Sequence, residues 1–173
     1  MTFLSEELAL DTESRRLPGS ADYHWLSVAL VGKGGALLHT PVKPMGLALE
    51  DIERFPNLPF PPEVLYQAPP PSAVRNMVKE LVRGCTLLLW YLDSETRHFP
   101  FLQERDVHGR RIFQVQDVMR RAAPYVKEWN SFFADYENPS LQLAAAHFDL
   151  EFQAPGWHDA RADAQMILSL IHI

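Results

Sequence analysis

The run Thr86-Leu87-Leu88-Leu89-Trp90-Tyr91 constrains this chain more than any other stretch. Apolar and polar side chains do not alternate in it, so a strand made from it has no face to turn to water. Such a strand lies inside a sheet covered on both sides, and the rest of the sequence must supply the covers. Val74, Met77, Val78, Leu81 and Val82 recur at helix spacing, and Gly84 is placed to end that helix. Asp117 opens a second helix running to about Glu128, and Leu141, Ala144, Ala145 and Phe148 mark a third. A last helix begins near Asp159, with Ala164, Ile167, Leu168 and Ile171 along one side.

Four other stretches read as strands. Residues 7–13 start apolar and end acidic, as a central strand does when its C-terminal end carries a site. Residues 25–31 and 36–39 flank Gly32-Lys33-Gly34-Gly35, a hairpin turn signal, and 111–115 is a short candidate. The region from Pro56 to Ser72 holds half of the fourteen prolines and is expected to be an irregular surface excursion. The order is a β-meander followed by alternating helices and strands, which predicts an α/β layered domain with a mixed central sheet.

At 173 residues and 47% apolar composition the chain suffices for one core, so a single domain over 1–173 is expected. Its apolar runs are too short to cross a bilayer and its start lacks a basic-then-apolar leader, which predicts a cytoplasmic protein without a membrane partner. The lone Cys85 excludes an internal disulfide and a cysteine-based zinc cage. Residues 168–173 resemble the translation of a sequencing-library adapter, so the natural chain is expected to depart from this one near Ile167. A net charge of −6 argues against a wide basic grip on nucleic acid, while leaving open phosphate binding through metal ions.

Two short constellations carry chemistry. Asp11 and Glu13 stand at positions i and i+2 of a strand and so project from one face, where two carboxylates can share a hard cation. Strand-end capping is the other reading of that pair. In Gly156-Trp157-His158-Asp159-Ala160-Arg161-Ala162-Asp163-Ala164, Asp159 is a helix N-cap. His158 then falls in the preceding loop and Asp163 within the first turns of the helix. A loop histidine with a pKa near neutrality suits a general base; an ordinary surface histidine beside a cap is the alternative.

Together these segments resemble the DEDDh branch of the proofreading-exonuclease superfamily. Its first motif is an apolar strand ending Asp-x-Glu, matched by Leu10-Asp11-Thr12-Glu13, and its last is His, four residues, Asp, Ala, matched by His158 to Ala164. The middle motif, an apolar strand leading to a polar segment and an aspartate, is met by Leu88-Leu89-Trp90-Tyr91-Leu92-Asp93, with Leu89 where the family commonly has Asn. Ser14-Arg15-Arg16 stands where Thr-Thr-Gly is frequent, and Arg15 reads as an exposed, solvated side chain. Asp117 reads as a helix cap.

The resemblance implies a ribonuclease H-like three-layer fold. It further implies a metal-dependent 3′-to-5′ exonuclease releasing nucleoside 5′-monophosphates from the free 3′ end of single-stranded DNA or RNA. Asp11, Glu13, Asp93 and Asp163 would hold two divalent cations, Mg²⁺ or Mn²⁺, and His158 would be the base. Thr12, Ser14 and Trp90 would contact the substrate; Trp90, Tyr91, Phe99 and Phe101 offer stacking surface, with core packing the competing use of at least two of them. The altered middle motif leaves a second reading, an exonuclease-fold module that binds nucleic-acid ends or a protein partner without cleaving. A third is a metal phosphoesterase acting on mononucleotides.

Overall fold

The computed structural model describes residues 6–127, 129–132, 134–151 and 159–171. Three strands form the meander: β1 (Glu7–Arg16), β2 (Tyr23–Gly32) and β3 (Gly35–Pro41), each antiparallel to the next. Gly35 turns the hairpin with φ +112°, a backbone conformation that glycine adopts without strain. The nonalternating run becomes β4 (Thr86–Leu89), parallel to β1, and β5 (Gln114–Asp117) runs parallel beyond it. The sheet order is β3-β2-β1-β4-β5.

Burial follows from that order. Every residue of β4 is buried, with Leu87 and Leu89 facing one core and Leu88 the other. One face of the sheet, carrying Leu8, Leu10, Val28 and Leu30, packs against Val74 and Val78 of a helix over Pro71–Leu81 and against Phe99 and Phe101. The other face carries Ala9, Ala29, Val31 and Leu88 and is covered by three helices: Val118–Val126, Leu141–His147 and Ala160–Leu170. This is the expected three-layer architecture with a mixed sheet.

Taken in chain order, the helices are α1 (Leu49–Ile52), α2 (Pro62–Gln67), α3 (Pro71–Leu81), α4 (Leu92–His98), α5 (Val118–Val126), α6 (Leu141–His147) and α7 (Ala160–Leu170). The proline-rich stretch is therefore not wholly irregular. Pro62 and Pro71 open α2 and α3, where the missing N–H has no helical partner to lose, and Leu65 joins Leu26, Ile52 and Phe55 in a small apolar cluster. The strand expected over 111–115 begins only at Gln114, because pairing with β4 starts there; Arg111 instead bridges back to Arg105. A hairpin of Trp129–Asn130 and Asp135–Tyr136 has strands of two residues, too short to leave a pattern. Leu168 and Leu170 are buried in the last turn of α7, so the adapter-like residues up to Leu170 complete the helix and its core.

Candidate metal centre

β4 ends at Leu89, level with Leu10, whereas β1 continues to Arg16. Beyond Leu10 the β4 side of β1 is thus open, and Asp11, Thr12 and Glu13 emerge there, at the carboxyl end of the parallel strands. Alternation sends Asp11 to the face covered by α7 and Thr12 to the face covered by α4. Opposite the site β2 carries one extra residue, Leu26, since Glu13 pairs with Ser27 and Ser14 with Trp25.

α7 reaches the sheet closely because small residues meet there. Ala160 and Ala164 are fully buried against the face that carries Ala9 and Ala29. Asp159 starts the helix by accepting from the backbone N–H of Arg161 and Ala162 at 2.9 and 3.0 Å. Asp163, one turn on, is 7% exposed and points at β1. Asp11, Glu13 and Asp163 each offer a carboxylate oxygen, and these oxygens lie within 4.8 Å of one another. Three of the expected metal ligands are therefore brought together.

Burial dominates the electrostatics of the cluster. Burial pushes the Asp11 carboxyl well above its ordinary value, with Glu95, Asp163 and Glu13 adding to the rise. Glu13 is also pushed up by burial, opposed by the Arg15 guanidinium beside it. Such an arrangement favours either protons or cations, and hard divalent ions are bound by oxygen sets of this kind.

Asp93, expected to be the fourth ligand, stands apart. Its side chain is 64% exposed and faces Arg120 at 3.9 Å. The buried acid of α4 is Glu95, 6% exposed, which accepts from the Thr12 hydroxyl at 3.0 Å through Oε1. Its Oε2 is buried with no hydrogen-bond partner among the described residues, and burial raises its pKa to about 8. Helical phase explains the exchange: Leu92, Glu95 and Phe99 recur at i, i+3 and i+7 on the inner face, and Asp93 falls outside it. That phase was the signal available in the sequence for Glu95.

The remaining candidates are accounted for as follows. Ser14 Oγ lies 3.1 Å from His98 Nε2, so the hydroxyls of both Thr12 and Ser14 hold β1 to α4. His98 stacks on Trp25 with centroids 5.0 Å apart, and burial lowers its pKa to about 4. Trp90 is half-buried against the α5–α7 core, Phe99 and Phe101 are core residues, and Tyr91 is exposed. Asp117 caps α5 as expected, accepting from Arg120 N–H at 3.0 Å, and also receives Leu92 N–H at 3.4 Å. Arg15 departs from expectation: it is 17% exposed, not solvated, because Nη1 donates to Glu13 Oε2 at 2.6 Å and to the Ser14 carbonyl at 3.0 Å. His158 lies outside the described residues.

No family model matches the sequence, and no curated protein matches it. Solved structures do match. The pseudoubiquitin hydrolase-RNA exonuclease module of Saccharomyces cerevisiae Pan2, in complex with A7 RNA, aligns with a TM-score of 0.64 and 16% identity over 97% of this chain and 28% of that one. The Pan2 catalytic unit of Neurospora crassa, with protease and nuclease domains, gives 0.60 and 19% over 99% and 27%. Product-bound exonuclease I of E. coli gives 0.60 and 14% over 98% and 43%. This chain thus spans less than half the length of the proteins it resembles, and what it shares with them is the ribonuclease H-like fold of an exonuclease module.

Proposed function

We propose that this chain is a metal-dependent 3′-to-5′ exonuclease domain acting on single-stranded DNA or RNA in a cytoplasmic setting. The observation that carries the reading is the meeting of Asp11, Glu13 and Asp163 within 4.8 Å at the open end of β1, in a fold similar to that of exonuclease modules. The donor set fits Mg²⁺ or Mn²⁺: all three groups are carboxylates, and the buried Glu95 carboxyl acts electrostatically on Asp11. Two such cations, when bound, supply water activation and charge stabilisation at the departing 3′-oxygen.

The residues divide the work. Asp11, on which Glu95, Asp163 and Glu13 all act, would serve both cations. Glu13 and Asp163 complete one position. Glu95 takes the role on α4 that the sequence pattern gave to Asp93, held in place by Thr12. His158, one residue before the α7 cap, takes the proton of the attacking water in this scheme. The products are nucleoside 5′-monophosphates.

The test is degradation of a 3′-labelled single strand with Mg²⁺ or Mn²⁺ by the native protein, Asp11→Ala and His158→Ala. Loss of activity in both variants supports the reading; equal activity in all three overturns it. A second reading, an exonuclease-fold module that binds ends or a protein without cleavage, draws on Arg15 occupying Glu13 and on Leu89 in place of Asn. Binding of the labelled strand with no shortening in either metal would favour it.

A further inference from the structure

Arg15 is the feature of the cluster that the proposed chemistry does not use. Its guanidinium carries a permanent charge, and it is held 2.6 Å from Glu13 Oε2, whose side chain is only 5% exposed. The same Nη1 is steadied by the Ser14 carbonyl at 3.0 Å. Residues two places apart along a strand project from the same face, so the Arg15 side chain lies beside Glu13 and folds across its carboxylate.

The location sets a conflict. A divalent cation shared by Asp11, Glu13 and Asp163 sits about 2.0 to 2.6 Å from its oxygen ligands. A guanidinium nitrogen on one of those same carboxylates is then within a few ångströms of the ion, and two positive charges at that separation in a mostly buried site repel strongly. One of them must leave Glu13.

Resting on the reading that this cluster binds divalent cations, we propose that Arg15 is a displaceable internal counter-ion, which neutralises Glu13 in the cation-free protein and competes with the incoming metal for it. Cation affinity at the cluster is thereby set lower than the carboxylates alone would give, and loading moves to higher metal concentration. A domain built in this way holds its acids together before metal arrives.

The experiment is calorimetric titration of Mn²⁺ into the native chain, Arg15→Gln, Arg15→Lys and Asp11→Asn, with melting curves recorded with and without Mn²⁺. The expected result is Mn²⁺ binding about fivefold tighter in Arg15→Gln than in the native chain, equivalent to about 1 kcal/mol. Its cation-free Tm is lower than native and its gain in Tm on adding Mn²⁺ larger, while Arg15→Lys, which keeps the charge without the planar fork, falls between. Lower Tm with unchanged or weaker Mn²⁺ binding in Arg15→Gln identifies a purely structural pair and overturns the proposal. Should Arg15→Gln not fold, the Arg15→Lys affinity decides: tighter than native supports competition, equal or weaker removes it. Absence of Mn²⁺ binding in the native chain and every variant sinks the metal reading itself, an outcome distinct from failure of the Arg15 proposal alone.

Discussion

Thr12 and Glu95, 83 positions apart in the chain, are joined by a hydrogen bond of 3.0 Å that fixes the central strand to the helix following β4. The bond holds the buried acid of α4 against β1, while Asp93 stays on the exposed side. Glu95→Gln is expected to lower exonuclease activity about 10- to 100-fold, the range seen when groups that orient or complete a metal site are removed. Asp93→Asn, on the exposed side of the same helix, should stay within about twofold of native. Single-turnover rates on a 3′-labelled strand compare the two, and the reverse ranking would return the role to Asp93.

Protonation gives a stability signature. Glu95 is raised from 4.5 to about 8 in the folded protein, so its contribution is fully present below pH 4.5 and is lost as pH rises through 8. His98 is lowered from 6.5 to about 4, so its contribution is present above pH 6.5 and is lost as pH falls through 4. Cation-free protein in chelator should therefore melt progressively lower from pH 6.5 to 8, where His98 no longer changes. Glu95→Gln should flatten that decline, and Mn²⁺ should lift Tm most at the alkaline end. A melting temperature independent of pH over this interval in the native chain would falsify the buried-acid account.

Close packing of α7 is the mechanical condition for the cluster. Ala164 is fully buried where the helix meets the sheet, so Ala164→Leu forces the two apart at a cost of about 1 to 3 kcal/mol. Urea midpoints should show the loss, and calorimetry should show weakened Mn²⁺ binding, since Asp163 lies on the displaced helix. Unchanged metal affinity in a destabilised variant would uncouple helix position from the site.

Asp117 links two helices from the end of β5, capping α5 through Arg120 N–H and receiving Leu92 N–H at the start of α4. Asp117→Ala should cost about 1 to 2 kcal/mol of stability. Asn at the same position retains an acceptor and should recover at least half of the loss in the same denaturation experiment.

The layered architecture was legible because it rests on side-chain periodicity: the unbroken apolar run of β4 demanded covers on both faces, and the spacing of Val74 and Val78 and of Ala164 and Ile167 identified two of them. Asp11, Glu13 and Asp163 were legible because strand alternation and an N-cap fix direction within a few residues. The exposure of Asp93 was not legible, since the start of α4 sets which of two nearby acids turns inward and that start depends on where β4 stops. Arg15 was misread because its partner is the carboxylate two places back on the same strand face, a pairing that alternation permits without requiring. The short hairpin after α5 and the exact onset of β5 are set by pairing partners far along the chain.

Because β4 stops level with Leu10, the stretch of β1 from Asp11 to Arg16 has only β2 as a neighbouring strand. A two-stranded ribbon is marginal by itself and gains its fixed shape from what docks on it. Here the docking pieces arrive from opposite layers, Glu95 from one and Asp163 from the other. The meeting of side chains at this spot is therefore a record of assembly: a chain with either helical layer undocked keeps Asp11 and Glu13 on its hairpin but loses Asp163 or the Thr12–Glu95 tie.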